Sequence, residues 1–369
     1  MHRDIARLLV LTCISLSALL NQSYRLPVPI THLLPPLRAS SSEDGDIRPT
    51  ATAAAAPHIF RYQYRYIMIP DVNGDLRSVR YIDVDAAPKN NKREDGVIIT
   101  PLVLFLGTGQ TVDSFAQHVQ PISSQRRLII IELRGQGQTQ LDAQYCTMSQ
   151  YVADIRLIFE ALQVDTVHLC GFSFGGRVGL AFASLHPAVV EKLSITAVPL
   201  TRPSLGKLIL DSCCDSLQLG HLRECAWSLV LNGYSEDYLN KHGSRMEGIV
   251  NALVANNNAQ SMYNLIRLSN VDDSADEFSS AQCCHRLNNS LSVGSTLYSP
   301  QRRRRMGMGM GMMMMQVIAG SRDRIAGWDP VRELSLRVDK SLFVSIDSGH
   351  LCPFEAPTLW RSELMRFIG

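Results

Sequence analysis

What the sequence has little of narrows the field first. It has no surplus of either charge: 36 Lys and Arg stand against 34 Asp and Glu, a formal net charge of +2 at pH 7. That leaves no electrostatic footprint for a nucleic-acid partner, because the visible basic clustering is mostly one run, Arg302–Arg305. The nine cysteines are odd in number and include two vicinal pairs, Cys213–Cys214 and Cys283–Cys284, but no C-x-x-C. Neither a disulfide framework nor a His/Cys zinc spacing is indicated, so the cysteines read as buried apolar residues or free thiols. No metal and no cofactor is expected. The loop Gly107-Thr108-Gly109 lacks the Gly-Lys-Ser/Thr ending of a phosphate-binding P-loop, which argues against nucleotide binding.

The apolar stretch Ile5–Leu20 is too short for a comfortable membrane span. With Arg3 and Arg7 near its start it reads as a signal-peptide core. The expectation is secretion or membrane anchorage through residues 5–20, with peripheral membrane contact there. A mitochondrial presequence is the alternative, since the first 42 residues contain one acid, Asp4. A plain exposed helix is the third reading. The Pro-, Ser- and Ala-rich segment Pro27–Pro57 reads as a linker without a core. Asn21 and Asn288 open N-x-S sequons, which matter only in a secreted chain.

What is present is a globular composition, 46% hydrophobic and 19% charged over 369 residues, enough for one large domain or two small ones. From His58 the pattern "HIFRYQYRYIMI" alternates as a strand does, and "LRSVRYIDVD" pairs with it across the Asn73-Gly74 turn. "VIITPLVLFL" (Val97–Leu106), "RRLIIIEL" (Arg126–Leu133) and "DTVHLCG" (Asp165–Gly171) are continuous apolar runs, as expected of strands buried on both faces. Helical stretches near Val112–Val119 and over Gln150–Gln163 separate them. The alternation predicts an α/β fold with a mostly parallel, doubly wound sheet. Between Pro199 and Pro300 helical pieces dominate, which reads as an inserted helical cap. The divisions expected are a targeting segment and linker over 1–57, a first core part over 58–199, the cap over 200–300, a low-complexity Arg/Met/Gly insertion over 301–315, and a second core part over 316–369.

Gly171-Phe172-Ser173-Phe174-Gly175 fits G-x-S-x-G between a strand and a helix. A sharp turn there strains the serine backbone and leaves no room for neighbouring bulk. It lifts Oγ of Ser173 above the sheet edge, where the N-terminal end of the next helix points. Such a hydroxyl becomes a nucleophile when a base removes its proton. His350, just past the last predicted strand Leu342–Ile346, is the expected base. Asp323, in the loop after Val317–Ala319, is the expected acid that orients it. Asp329 competes for that role but sits at a helix start before Pro330 and reads as a cap. Backbone N–H groups of Phe174 and Thr108 are the expected oxyanion donors.

At this point the chain resembles the α/β-hydrolase superfamily in its helical-capped branch. The resemblance runs from about His58 to Gly369 and rests on "FLGTGQ", "ELRGQGQT", "GFSFGG", "GSRD" and "GHLCPFEAP" in the family order. Two departures stand out. The family usually has His-Gly where this chain has Leu106-Gly107, and the family histidine supports the oxyanion loop. The family also has Asp-x-x-Gly-x-Gly where this chain has Glu132 with Arg134-Gly135-Gln136-Gly137, a conservative change expected to lie away from the chemistry. "GFSFGGRVG", through Arg177, also resembles menaquinone-synthesis enzymes that eliminate pyruvate.

The resemblance implies a serine hydrolase acting on an ester, thioester or amide with a partly hydrophobic, acyl-type group. Two alternatives stay open: a non-enzymatic ligand receptor or scaffold of the same fold, and a C–C hydrolase or lyase using the same three side chains.

Overall fold

The computed structural model describes residues 62–71, 73–85, 99–139, 147–270, 277–293 and 313–369. The N-terminal apolar segment, the linker, Asn21 and the Arg/Met/Gly run up to Met312 lie outside the described residues.

Eight strands form one sheet in the order β1-β2-β4-β3-β5-β6-β7-β8. The hairpin β1 (Tyr64–Pro70) and β2 (Leu76–Val84) is antiparallel, and β2 is antiparallel to β4 (Leu128–Ile131). All other pairings are parallel: β3 (Leu102–Phe105), β5 (Val167–Phe172), β6 (Val190–Thr196), β7 (Met314–Gly320) and β8 (Leu342–Ile346). The apolar runs explain the centre of the sheet. Every residue of β3, β4 and β5 is buried, so neither face could tolerate alternation with polar residues. β1 sits at the sheet edge with Tyr64, Tyr66 and Met68 exposed, and there the sequence does alternate.

The strands are shorter than the apolar runs. β3 begins at Leu102: Pro101 has no N–H to give a ladder, although its carbonyl accepts His168 N–H at 2.9 Å.

Helices cover both faces. A 3₁₀ turn, Val112–Phe115, leads into α1 (Ala116–Ser123). Helix α2 (Met148–Ala161) is capped by Thr147, whose side chain accepts the Gln150 N–H. Helix α3 (Phe174–Leu185) follows β5 directly. Between β6 and β7 lie α4 (Ser204–Gln218), α5 (Leu222–Gly233), α6 (Glu236–Asn256), α7 (Ala259–Ser269) and α8 (Ser280–Val293). The last segments are α9 (Trp328–Leu336), α10 (Cys352–Glu355) and α11 (Pro357–Ile368).

The stretch expected to be one helical insertion divides in two. Helices α4–α7 pack around two small apolar clusters of their own, centred on Leu210, Met262 and Ile266 and on Val230, Met246 and Val250. Helix α8 instead buries Cys283, Cys284 and Leu287 in the main core, packed on α3, and so completes the layer over the sheet. The thiols at Cys170, Cys213, Cys225, Cys283, Cys284 and Cys352 are free and buried. Asn288, on α8, uses its amide to bond backbone groups of Arg337 and Asp339.

Candidate active site

Four loops at the carboxyl ends of the parallel strands meet above β5. An open α/β sheet places its ligand site there because loops on either side of the central strand diverge and leave a crevice.

The turn after β5 carries Ser173. Its backbone has φ 50° and ψ −116°, a region that a side chain occupies only under strain. The turn is tight enough that added atoms would collide. A Cβ on Gly171 would lie 2.5 Å from the Gly175 carbonyl oxygen, and one on Gly175 would lie 2.5 Å from the Leu106 carbonyl oxygen. Those two glycines are there for the close approach of backbone to backbone. Ser173 N–H donates to the Thr196 carbonyl at 2.8 Å, which ties the turn to β6.

The turn after β7 carries Asp323. Its Oδ1 accepts the N–H groups of Ile325 and Ala326, both at 2.8 Å. Its Oδ2 accepts from His350 Nδ1 at 2.8 Å. Burial alone would raise this carboxyl, but the His350 charge and hydrogen bond, with the two N–H groups, outweigh it and hold the pKa below the usual value. The turn after β8 carries His350, whose Nε2 lies 2.9 Å from Ser173 Oγ. With Nδ1–H committed to Asp323, Nε2 is the acceptor of the serine proton.

The three side chains singled out from sequence therefore form one hydrogen-bonded line, mostly shielded from water: His350 and Asp323 are 5% and 7% exposed. Asp329 is not part of it; it lies in the first turn of α9.

The His350 loop is pinned by a carboxylate at the end of α10. Glu355 Oε2 accepts N–H groups of Gly349 and Ser235, both at 2.9 Å, and Oε1 takes the Ser235 hydroxyl. The loops bearing Asp323 and His350 are also tied directly, Arg322 N–H to the Ser348 carbonyl at 2.9 Å.

Phe174 is the first residue of α3, so its N–H belongs to the orphan donors at a helix start. Thr108 lines the cavity beside Ser173 and His350. The loop bearing Thr108 is held from behind by the segment after β4. Gln136 Nε2 donates to the Gly107 carbonyl at 2.9 Å and the Leu106 carbonyl at 3.2 Å. Gln110 Oε1 accepts Gly107 N–H at 2.9 Å. Glu132 accepts Val112 N–H at 3.0 Å and Gln138 N–H at 2.8 Å; burial pushes its pKa up despite those bonds and the nearby Arg80. The segment "ELRGQGQT" forms the rear wall of the Thr108 loop. Its signal is invisible to periodicity, because side-chain-to-backbone bonds over 20 to 30 residues leave no pattern.

The cavity in front of Ser173 has a volume of about 480 Å³, the size that encloses a small organic molecule. Its roof comes from α4–α7: Leu210, Leu229, Ile249, Leu253 and Ile266 make it largely apolar, with Tyr238 and Arg245 as polar points. At the corner between α6 and α7, Asn257 Nδ2 donates to the Gly109 carbonyl at 2.9 Å, joining the roof to the Thr108 loop. Arg177 does not line this cavity: its guanidinium donates to the Ser269 carbonyl at 2.8 Å beneath α7. Among the described residues, no group of three or more His, Cys, Asp or Glu side chains could hold a metal ion.

Residues 100–357 match the family model described as the alpha/beta hydrolase fold. The chain belongs to that family. Among curated relatives, 2-hydroxy-6-oxo-2,4-heptadienoate hydrolase of Pseudomonas putida is 38% identical over 97 residues, 25% of this chain and 35% of the relative. The first three curated relatives are matched over 26%, 44% and 35% of their own lengths, well under two thirds. Among solved structures, the enol-lactonase of Burkholderia xenovorans LB400 superposes with a TM-score of 0.62 at 16% identity, covering 82% of this chain and 99% of that one. A thermophilic esterase of Thermogutta terrifontis gives 0.61 at 17%, covering 82% and 98%. At such identity these two show the shared fold.

Proposed function

We propose that this chain is a serine hydrolase cleaving an ester, thioester or amide of a small, partly hydrophobic substrate. One observation carries the reading: Ser173 Oγ, His350 Nε2, His350 Nδ1 and Asp323 Oδ2 stand in a line of contacts of 2.9 and 2.8 Å. Family membership and hydrolases among the relatives support it.

In this reading Ser173 Oγ bonds to the substrate carbonyl carbon while its proton passes to His350 Nε2. Asp323, kept ionised, stabilises the imidazolium without taking the proton. The carbonyl oxygen becomes an oxyanion facing the N–H groups of Phe174 and Thr108; one such donor is worth ~3 kcal/mol in the transition state. Collapse breaks the bond to the leaving group, which takes the proton from His350, and an acyl group remains on Ser173. Water then attacks that ester, giving its proton to His350, and release of the acid restores Ser173 Oγ–H. Helices α4–α7 serve as the cap, and its leucines and isoleucines favour an acyl or other apolar part in the substrate.

The test is fluorophosphonate labelling with p-nitrophenyl ester turnover. Labelling lost in Ser173→Ala, and turnover lost in His350→Ala, are the expected results. A folded wild type that neither labels nor turns over would assign the chain to a non-enzymatic receptor or scaffold. A second reading, C–C bond hydrolysis, draws on the named activity of the Pseudomonas relative; a vinylogous 1,5-diketone cleaved faster than any ester would favour it.

A further inference from the structure

We infer that Gln136, assisted by Gln110, is the positioning residue that aims the Thr108 N–H at the oxyanion; the inference rests on the serine-hydrolase reading above. One peptide plane links the two glutamines to Thr108. The carbonyl of Gly107 and the N–H of Thr108 belong to the same planar, trans unit, so they point in opposite directions. Whatever grips the Gly107 oxygen from behind sets the direction of the Thr108 hydrogen in front. Gln136 Nε2 grips it at 2.9 Å, and Gln110 N–H does so at 3.2 Å. Thr108, on the other side of that plane, lines the cavity with Ser173.

The orientation of the Gln136 amide is itself fixed. Its Oε1 accepts Leu133 N–H at 2.9 Å, so the NH2 end must face the two carbonyls of Leu106 and Gly107. Gln136 is fully buried, and no water competes for those bonds. Leu106, fully buried beside the loop, has no polar side-chain atom to do the same work. Gln110 closes the loop from its open side, taking Gly107 N–H at 2.9 Å. Both polar groups of Gly107 are thus occupied by glutamines, and the next donor along the chain is Thr108.

The substitutions that test this are Gln136→Met, similar in length but without donors, and Gln110→Met at a half-buried position where folding is less at risk. Wild type, Ser173→Ala and both variants are compared for kcat and KM on p-nitrophenyl butyrate. Inhibition by a trifluoromethyl ketone, which forms a tetrahedral oxyanion adduct on serine, and the melting temperature are recorded alongside. Gln136→Met is expected to lower kcat roughly 10- to 100-fold, the scale of a small misplacement in a preorganised site. KM should stay within about two-fold, and ketone affinity should fall in parallel with kcat. Gln110→Met should show the same split at smaller amplitude. A folded Gln136→Met with wild-type kcat, or a loss that falls on KM, overturns the inference. If Gln136→Met does not fold, Gln110→Met decides by the same criteria. Failure of the underlying reading looks different: the wild type then shows no turnover dependent on Ser173, and the inference goes with it.

Discussion

Replacing Asp323 by Asn changes one atom and should nearly abolish turnover. The reason lies in how the carboxylate is held. Oδ1 receives two backbone N–H groups, from Ile325 and Ala326. An asparagine must keep its oxygen there, since an NH2 would oppose two donors. Its NH2 then faces His350 Nδ1, where Oδ2 now accepts. The imidazole is forced to accept at Nδ1 and so to carry its proton on Nε2, facing Ser173 Oγ at 2.9 Å. In that tautomer it cannot receive the serine proton. Where the same tautomer error has been built into a Ser-His-Asp site it costs about 10⁴ in kcat, or about 5.5 kcal/mol of barrier. The assay is kcat on p-nitrophenyl butyrate for Asp323→Asn beside Asp329→Asn, with thermal melts to show that both fold. Asp329→Asn should stay near wild type. An Asp323→Asn enzyme retaining more than a tenth of wild-type kcat would refute the reasoning, and so would a collapse of Asp329→Asn.

Two further outcomes follow from geometry away from the proton line. Gly175→Ala puts a methyl 2.5 Å from backbone atoms of Phe105 and Leu106, which no side-chain rotation relieves; a loss of about 1–3 kcal/mol is expected, read as a lower urea midpoint at unchanged m. His118 is fully buried, with Nε2–H on the Pro353 carbonyl at 2.9 Å and Nδ1 accepting from Arg361 at 3.3 Å. Burial, with the Arg361 charge adding to it, lowers its pKa from 6.5 to about 4. Below pH 6.5 the unfolded imidazole binds a proton that the native one refuses, so stability falls as pH drops from about 6.5 to about 4, by about 3 kcal/mol. His118→Gln should flatten that part of the urea-midpoint profile; an unchanged profile would show that His118 does not set it.

The sheet was legible because each central strand must be apolar on both faces: "LVLFL", "LIII" and "VHLCGF" admit few other readings. Ser173, Asp323 and His350 were legible because each follows a strand in a fixed order, with glycine where backbones touch. Cap and covering helix were not separable, since α7 and α8 bury apolar faces of the same kind, and which neighbour receives them depends on tertiary packing. The service of Glu132, Gln136 and Glu355 was hidden for another reason. A single polar side chain that bonds distant backbone has no repeat, and its spacing carries no signature.

The bond from Asn257 to the Gly109 carbonyl has a consequence for selectivity. In the serine-hydrolase reading, one amide couples the ceiling over the substrate to the strip of chain that would meet the developing negative charge. A molecule that fills the chamber badly and displaces the α6–α7 corner tugs on that strip. Discrimination among substrates would then be felt in how fast bound molecules react, more than in how tightly they are held.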